Sequence, residues 1–288
     1  MRSLWMLGAS FFFALMSAFV KMGAGHFSFF ELVGWRSLFG ILMIGGWVLA
    51  THRSVRTPYI MGHFRRSFIG TFSMTLWFYA MGLLPLATGL TLNYTNPIFM
   101  ALFVTGAALW KKEKPQWGLV AAVAAGFGGV VLMLHPTVDA GQIQPALIGL
   151  CSGVLATFVG LQIQELARMR EPTWRIVFYY TSFGTVWGFA GHLLLNGGFS
   201  PINAESALPL IGIGISATIA QLCMTQAFGV KNILVSSVLQ YSAIIFATVF
   251  GFLFFGDSIS TDAAIGIAII IASGITASFY IKSKKKKA

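Results

Sequence analysis

The chain contains ten apolar segments, each long enough to cross a membrane as a helix. A transmembrane helix needs about 20 apolar residues, and little of the chain lies outside such segments. With 57% hydrophobic and 9% charged residues, the composition excludes an ordinary soluble domain. The sequence therefore predicts an all-α integral membrane protein with ten transmembrane helices. They are placed at residues 3–23, 29–50, 66–84, 87–110, 117–135, 145–167, 174–195, 206–228, 232–255 and 262–282.

The basic residues occupy alternate connections between these segments. The net charge is +11, and Lys and Arg accumulate on the cytoplasmic side of membrane proteins. The distribution thus predicts cytoplasmic N- and C-termini. It also predicts that the basic residues face a lipid bilayer and do not bind a nucleic acid. Lys21 and Arg36 are the exceptions. The basic connections carry Arg2, Arg53, Arg56, Arg65, Arg66, Lys111, Lys112, Lys114, Arg168, Arg170, Arg175, Lys231 and the lysines of residues 282–287.

A polar motif recurs at an offset of 147 residues. Leu92, Asn93, Tyr94 and Thr95 return as Leu239, Gln240, Tyr241 and Ser242. Five segments per copy is an odd number, so the second copy enters the membrane reversed; this predicts inverted repeats with a site near the midplane. The first repeat is assigned to 1–137, the second to 143–282, and a cytoplasmic Lys-rich tail to 283–288.

Further positions give the two copies a recognisable signature. The first copy has Tyr79, Ala80, Pro85, Ala87, Pro97, Ile98, Phe99, Glu113, Gly129 and Val130, and the second has Ala227, Val235, Ile245, Phe246, Gly256, Asp257, Gly274 and Ile275. These residues resemble the EamA repeat of the drug/metabolite transporter superfamily over essentially the whole chain. Asp257 stands where a Glu is usual, and Ile244 stands where the first copy has Pro97.

The resemblance implies ten helices in inverted repeats and transport by alternating access. Among bacterial members, the chain looks most like exporters of aromatic and other amino acids. The family commonly has a lysine at the position of Lys21. The resemblance therefore favours a Lys21 ammonium that faces the cavity and attracts a substrate carboxylate, although the side chain could also extend to the interface.

Polar groups before Pro97 form the first candidate site. Proline lacks an N–H and its ring collides with the carbonyl four residues earlier, so a kink beside Asn93, Tyr94 and Asn96 is expected, as a static bend or a hinge. The repeat favours a symmetric role for Tyr94 and Tyr241.

Arg36 has a predicted structural or gating role, alongside Pro97. Its guanidinium needs several acceptors in a medium of low dielectric, so we expect it to pair with Glu31 or with helix carbonyls.

Amides and aromatic rings extend the predicted substrate site. Lipid packing is the alternative for the aromatic residues, and hydrogen bonding to a neighbouring helix is the alternative for the glutamines. Together they suit a zwitterion with an apolar side chain, or a nucleobase. These residues are Trp77, Tyr79, Gln162, Gln221, Thr225 and Gln240.

Small residues four apart predict close helix contacts, namely Gly149 with Gly153 and Gly184 with Gly188. Motifs for hydrolases, metalloproteases and phosphate-binding loops are missing, and no catalytic residue, metal site or cofactor is expected.

The predicted function is secondary transport, without an enzymatic activity. We expect an inner-membrane facilitator, provisionally a monomer, that exports amino acids, aromatic or otherwise apolar, and related small metabolites. No Asp, Glu or His is predicted near mid-span, so obligatory proton or sodium coupling is not expected. The alternative cargo on the same fold is a nucleobase or a nucleotide sugar.

Overall fold

A computed structural model describes residues 2–22, 26–84, 86–136, 138–229, 232–256 and 260–286, and every regular element in these ranges is helical. Short 3-10 turns at Arg2–Leu4 and Ala140–Gln142 precede the first and seventh α-helices. The α-helices are α1 (Trp5–Met22), α2 (Phe29–Ala50), α3 (Ile60–Leu83), α4 (Leu86–Asn93), α5 (Asn96–Trp110), α6 (Trp117–Leu134), α7 (Ile143–Arg168), α8 (Thr173–Asn196), α9 (Ala204–Phe228), α10 (Ile233–Gln240), α11 (Ser242–Phe255) and α12 (Thr261–Lys286).

Six stretches within the described ranges are long and apolar enough to cross a membrane. They are Trp5–Met22, Phe29–Ala50, Trp117–Leu134, Ile143–Arg168, Glu205–Phe228 and Ile233–Phe255. Large apolar side chains also cover the outside of the molecule; Trp110 is 91% exposed and Leu194 is 85% exposed. Such a surface is unfavourable in water and suits hydrocarbon. The prediction of an all-α integral membrane protein is confirmed.

The main helix–helix contacts join the first half of the chain to the second half. Helix α1 contacts α9 and α11, α2 contacts α8, α3 contacts α7, and α6 contacts α12. Helices α4 and α5 also contact α7. The main apolar cluster contains Met6 and Met100 from the first half with Ile163, Phe228 and Leu234 from the second. The core is therefore the interface between the halves, which is where a site shared by both would lie.

Glycines bring several of these helix pairs close together. A Cβ on Gly188 of α8 would lie 2.3 Å from the backbone N of Gly34 in α2, and one on Gly153 would lie 2.9 Å from the Leu92 carbonyl oxygen. Gly149 faces Leu92 and Gly184 faces the Ser37 side chain. The packing role predicted for both glycine pairs is confirmed.

The helix that contains Pro97 is broken as predicted. Helix α4 ends at Asn93, α5 begins at Asn96, and Pro97 lies in the first turn of α5. The Ile98 N–H donates to the Thr95 carbonyl, which is a contact three residues back rather than four. Hydroxyl groups satisfy neighbouring carbonyls: Thr95 Oγ1 donates to Leu92 O at 2.5 Å.

A second break at Tyr241 arises without proline. Helix α10 ends at Gln240 and α11 begins at Ser242. Ser242 Oγ donates to the Leu239 carbonyl at 2.7 Å, and Ser10 Oγ of α1 lies 3.4 Å from the Gln240 carbonyl. These hydroxyls take the place of helix N–H donors, so the chain can turn here at little cost. The sequence analysis did not anticipate this break.

Helix α3 begins six residues earlier than expected, at Ile60. The sequence analysis placed Arg65 and Arg66 in a basic connection, and this is wrong, because the helix includes both and its packing against α7 and α8 buries Arg66. The features assigned to Pro85, Lys231 and Asp257 lie outside the described residues, as does the end of the Lys-rich tail.

Candidate functional site

A cavity of about 140 Å³ lies between the two halves; we call it the central cavity. Helices α1, α3, α4, α7 and α9 contribute to its wall, together with Tyr180 of α8, the start of α5, the end of α10 and the start of α11. The cavity includes predicted site residues from both halves of the chain: Trp77, Asn93, Tyr94, Asn96, Gln221 and Gln240.

A larger chamber of about 660 Å³ adjoins the central cavity; we call it the large chamber. Lys21 and Tyr79 line it, and Trp77 lines both spaces. Tyr79 is 37% exposed and Leu83 is 51% exposed, so the chamber reaches the molecular surface. The Lys21 Nζ lies 4.0 Å from the centre of the Phe255 ring. This geometry places the ammonium at a wide entrance, beside an aromatic face that stabilises a cation.

Other parts of the central cavity are lined by buried side chains. Phe228 is 2% exposed and Arg66 is 1% exposed, and both line this space. On the far side of them, the Glu171 carboxylate accepts hydrogen bonds from Thr57 at 2.7 Å and Arg175 at 3.1 Å. Burial alone would raise the pKa of Glu171, but these hydrogen bonds hold it below its ordinary value. The charged carboxylate thus ties residues 54–57 to the α7–α8 connection.

Several buried polar atoms in the central cavity have no hydrogen-bond partner among the residues that the structure describes. These atoms are Trp77 Nε1, Asn96 Oδ1, Gln221 Oε1 and Gln240 Oε1. Buried polar groups are nearly always hydrogen-bonded, and each exception needs an explanation. A ligand with both donors and acceptors would satisfy this set, which is a better explanation here than helix packing.

Arg66 is the main cavity residue that the sequence analysis missed. Its guanidinium lines the central cavity, and its carbon Cζ lies 4.0 Å from the centre of the Tyr180 ring. The signal was present as polar and small residues at helical spacing around Arg66, namely His63, Gly70 and Ser73. Starting the apolar segment at residue 66 concealed that pattern.

Other predicted residues lie elsewhere. Tyr241 is 0% exposed and packs with Val130 and Ile244; it is absent from the lining of the central cavity, although Tyr94 also packs against this cluster. Thr225 lines a polar pocket beside the α7–α8 connection, and Gln162 is absent from the lining of both chambers. Tyr94 thus lines the central cavity, whereas Tyr241 faces α6 and α12, and the symmetric role expected for the two tyrosines stays a prediction.

Arg36 does not pair with Glu31. Its guanidinium contacts the Met74 sulfur, whereas Glu31 accepts from Ser200 Oγ at 2.6 Å and from Trp35 Nε1 at 3.4 Å. Arg36 is buried, and its Nε has no partner in the described structure. It is absent from the lining of both chambers, as is Pro97.

A helical membrane body with a polar internal cavity and a wide entrance defines a protein that binds a small molecule within the bilayer, as transporters do. The model of the EamA-like transporter family matches residues 2–135 and again residues 144–279. The chain belongs to this family. It is a multi-pass membrane transporter without an enzymatic function.

Named relatives extend over nearly the same length. The pseudopaline exporter CntI of Pseudomonas aeruginosa is 28% identical, covering 92% of this chain and 91% of its own. A riboflavin transporter of Vibrio cholerae is 23% identical, covering 94% and 90%. A solved crystal structure superposes with a TM-score of 0.81 at 21% identity, covering 96% of each chain. This last likeness supports the fold alone.

Proposed function

We propose that this transporter exports amino acids with apolar or aromatic side chains, and related zwitterionic metabolites, across the bacterial inner membrane. The observation that carries the proposal is the set of unpartnered donors and acceptors in the central cavity, among them Trp77 Nε1 and Gln221 Oε1. Aromatic and apolar side chains such as Phe13 and Tyr94 complete the wall and suit an apolar side chain.

The proposed architecture has ten crossings in two inverted repeats, with both termini in the cytoplasm. The pairing of helices supports it, since exchanging the halves maps the α1–α9 pair onto α7–α3 and maps α2–α8 onto itself. The helix breaks at Tyr94 and Tyr241, 147 positions apart, support it further.

Alternating access follows from the unequal ends of the cavity. In the proposed topology, the large chamber opens to the periplasm, and the Glu171 hydrogen bonds close the cytoplasmic end. Export then requires these contacts to open while the large chamber narrows around Trp77, which lines both spaces. Substrate moves down its own gradient, without obligatory proton or sodium coupling.

A planar heterocycle is the second candidate cargo. The cavity amides of Asn96, Gln221 and Gln240 can pair with the donor and acceptor edges of such a ring. The riboflavin transporter among the relatives agrees with this alternative. A nucleotide sugar is less favoured, because Arg66 is the cation that lines the described part of the central cavity.

Transport by purified protein in liposomes tests both candidates. A panel of labelled amino acids, nucleobases, riboflavin and nucleotide sugars is offered to liposomes preloaded with each unlabelled compound. We expect exchange of apolar and aromatic amino acids, without stimulation by an imposed proton or sodium gradient. Exchange of riboflavin or a nucleobase alone would favour the second candidate, and accumulation driven by either ion gradient would contradict the facilitator.

A further inference from the structure

Arg66 is a buried cation with no counter-ion in the described structure. The side chain is 1% exposed, and its Nε, Nη1 and Nη2 atoms all lack a hydrogen-bond partner. A charged group in this state is costly unless something pairs with it. Because the guanidinium lines the central cavity, a ligand there can supply the missing acceptors.

The surroundings hold the guanidinium in place without neutralising it. Its face packs on the Tyr180 ring, and a Cβ on Gly70 would lie 2.4 Å from Nη1, so the glycine provides the space that Nη1 occupies. The Met74 sulfur contacts both the Tyr180 hydroxyl, at 3.7 Å, and the guanidinium of Arg36. Two buried cations therefore lie on either side of one Met–Tyr pair.

The acidic residues closest in sequence and fold are already engaged. Glu171 accepts from Thr57 and Arg175, and Glu31 accepts from Ser200 and Trp35. Neither forms an ion pair with Arg66 among the contacts of the described residues. A bound molecule in the cavity can supply the acceptor that these two carboxylates do not.

Hydrogen-bond acceptors, which carry partial negative charge, lie elsewhere in the same cavity. The unpartnered Oδ1 of Asn96 and the Oε1 atoms of Gln221 and Gln240 accept hydrogen bonds and would suit an ammonium group. A guanidinium presents parallel N–H donors that match the two oxygens of a carboxylate. Among the described residues, Arg66 is the cation that lines this cavity of about 140 Å³. Its charge balances the single negative charge of a carboxylate but only part of the charge of a phosphate dianion.

We propose that Arg66 binds the carboxylate of the transported molecule, with the cavity amides receiving its ammonium group. This inference rests on the proposed function and names the chemical group that the site recognises. Lys21, at the wide entrance, attracts the anion first, and Arg66 holds it at the closed end of the path.

The test compares an acid with its neutral amide. Binding of phenylalanine, phenylalaninamide, phenylacetate and inorganic phosphate to the full-length protein in detergent is measured by the shift in unfolding temperature, and exchange is measured in liposomes. The variants are Arg66→Gln, Arg66→Lys and, as a matched control, Arg65→Gln, which alters an exposed arginine one position away on the same helix.

In the wild type we expect at least a tenfold preference for phenylalanine over its amide. Arg66→Gln should abolish that preference, and Arg66→Lys should restore part of it because the charge remains without the planar fork. Arg65→Gln should behave as the wild type. If Arg66→Gln does not fold, the role of Arg66 is tested by two other results. These are the preference of the wild type for the acid over the amide, and the partial loss of that preference in Arg66→Lys.

Equal exchange of acid and amide by the wild type would overturn the role of Arg66 while leaving amino-acid transport intact. A preference that persists in Arg66→Gln would do the same, and stronger stabilisation by phosphate than by carboxylates would overturn the choice of ligand. If no amino acid exchanges but phenylacetate stabilises the wild type and not Arg66→Gln, the carboxylate site stands and the proposed cargo fails.

Discussion

The two broken helices carry the same motif in different surroundings. Tyr94, at the first break, lines the central cavity, whereas Tyr241, at the second, is fully buried with its ring against Gly126 of α6. Hydroxyl groups bond to carbonyls at both breaks, so the backbone feature is common to the two halves. A repeated sequence can thus preserve a bend while neighbouring helices decide whether its tyrosine lines a cavity or is fully buried.

The largest expected difference is in stability. Tyr241→Ala empties a filled site in the interior and should lower the free energy of unfolding by about 3–5 kcal/mol. Tyr94→Ala enlarges an existing cavity and should cost only about 1 kcal/mol, while weakening transport. Denaturant-induced unfolding in a mild detergent, followed by exchange in liposomes, measures both quantities.

Tyr241→Phe is the matched control, because the Tyr241 hydroxyl has no partner among the described residues and its removal should leave stability unchanged or slightly higher. Similar losses of stability in the two alanine variants, or normal transport by Tyr94→Ala, would remove the distinction between the halves.

A smaller effect should separate the causes of the two breaks. Pro97 lies in the first turn of α5, where proline is tolerated, and Thr157 Oγ1 donates to the Asn96 carbonyl at 3.1 Å. Pro97→Ala should therefore leave the break in place and lower the free energy of unfolding by only about 0.4–1 kcal/mol, through the greater freedom of the unfolded chain.

Ile244→Pro, the reciprocal change, should cost more, because the Ile244 N–H donates to the Tyr241 carbonyl at 3.1 Å. A gain of stability in Pro97→Ala would show that proline alone forces the first bend.

The sequence was sufficient for features that depend on local chemistry. Apolar length indicated a helical membrane protein, and Pro97 indicated a bend, because both follow from the chain itself. The bend at Tyr241 could not be predicted in the same way. It depends partly on Ser10 of α1, a residue more than two hundred positions away whose hydroxyl approaches the α10 carbonyls.

The candidate site shows the same limit. The residues Trp77, Asn93 and Gln221 were chosen as polar groups in apolar segments, and they line the cavity. Tyr241 met the same criterion but faces α6 and α12, since helix rotation is set by packing that one sequence does not reveal. Arg66 was overlooked because its charge shortened the apparent apolar segment, although α3 extends to Ile60.

The central claim is that substrate occupies the central cavity, beside Tyr94 and away from Tyr241. The most direct test starts from a variant in which Cys151 and Cys223 are replaced with alanine. A single cysteine is then placed at position 94 or at position 241. The rate of alkylation by a small thiol reagent is measured with and without a transported amino acid. Gel filtration first confirms that each variant is folded.

We predict that the cysteine at position 94 reacts at least tenfold faster than the one at position 241, and that saturating substrate slows only the former. Equal reaction rates at the two positions, or no protection of position 94 by a molecule that the protein transports, would contradict this account.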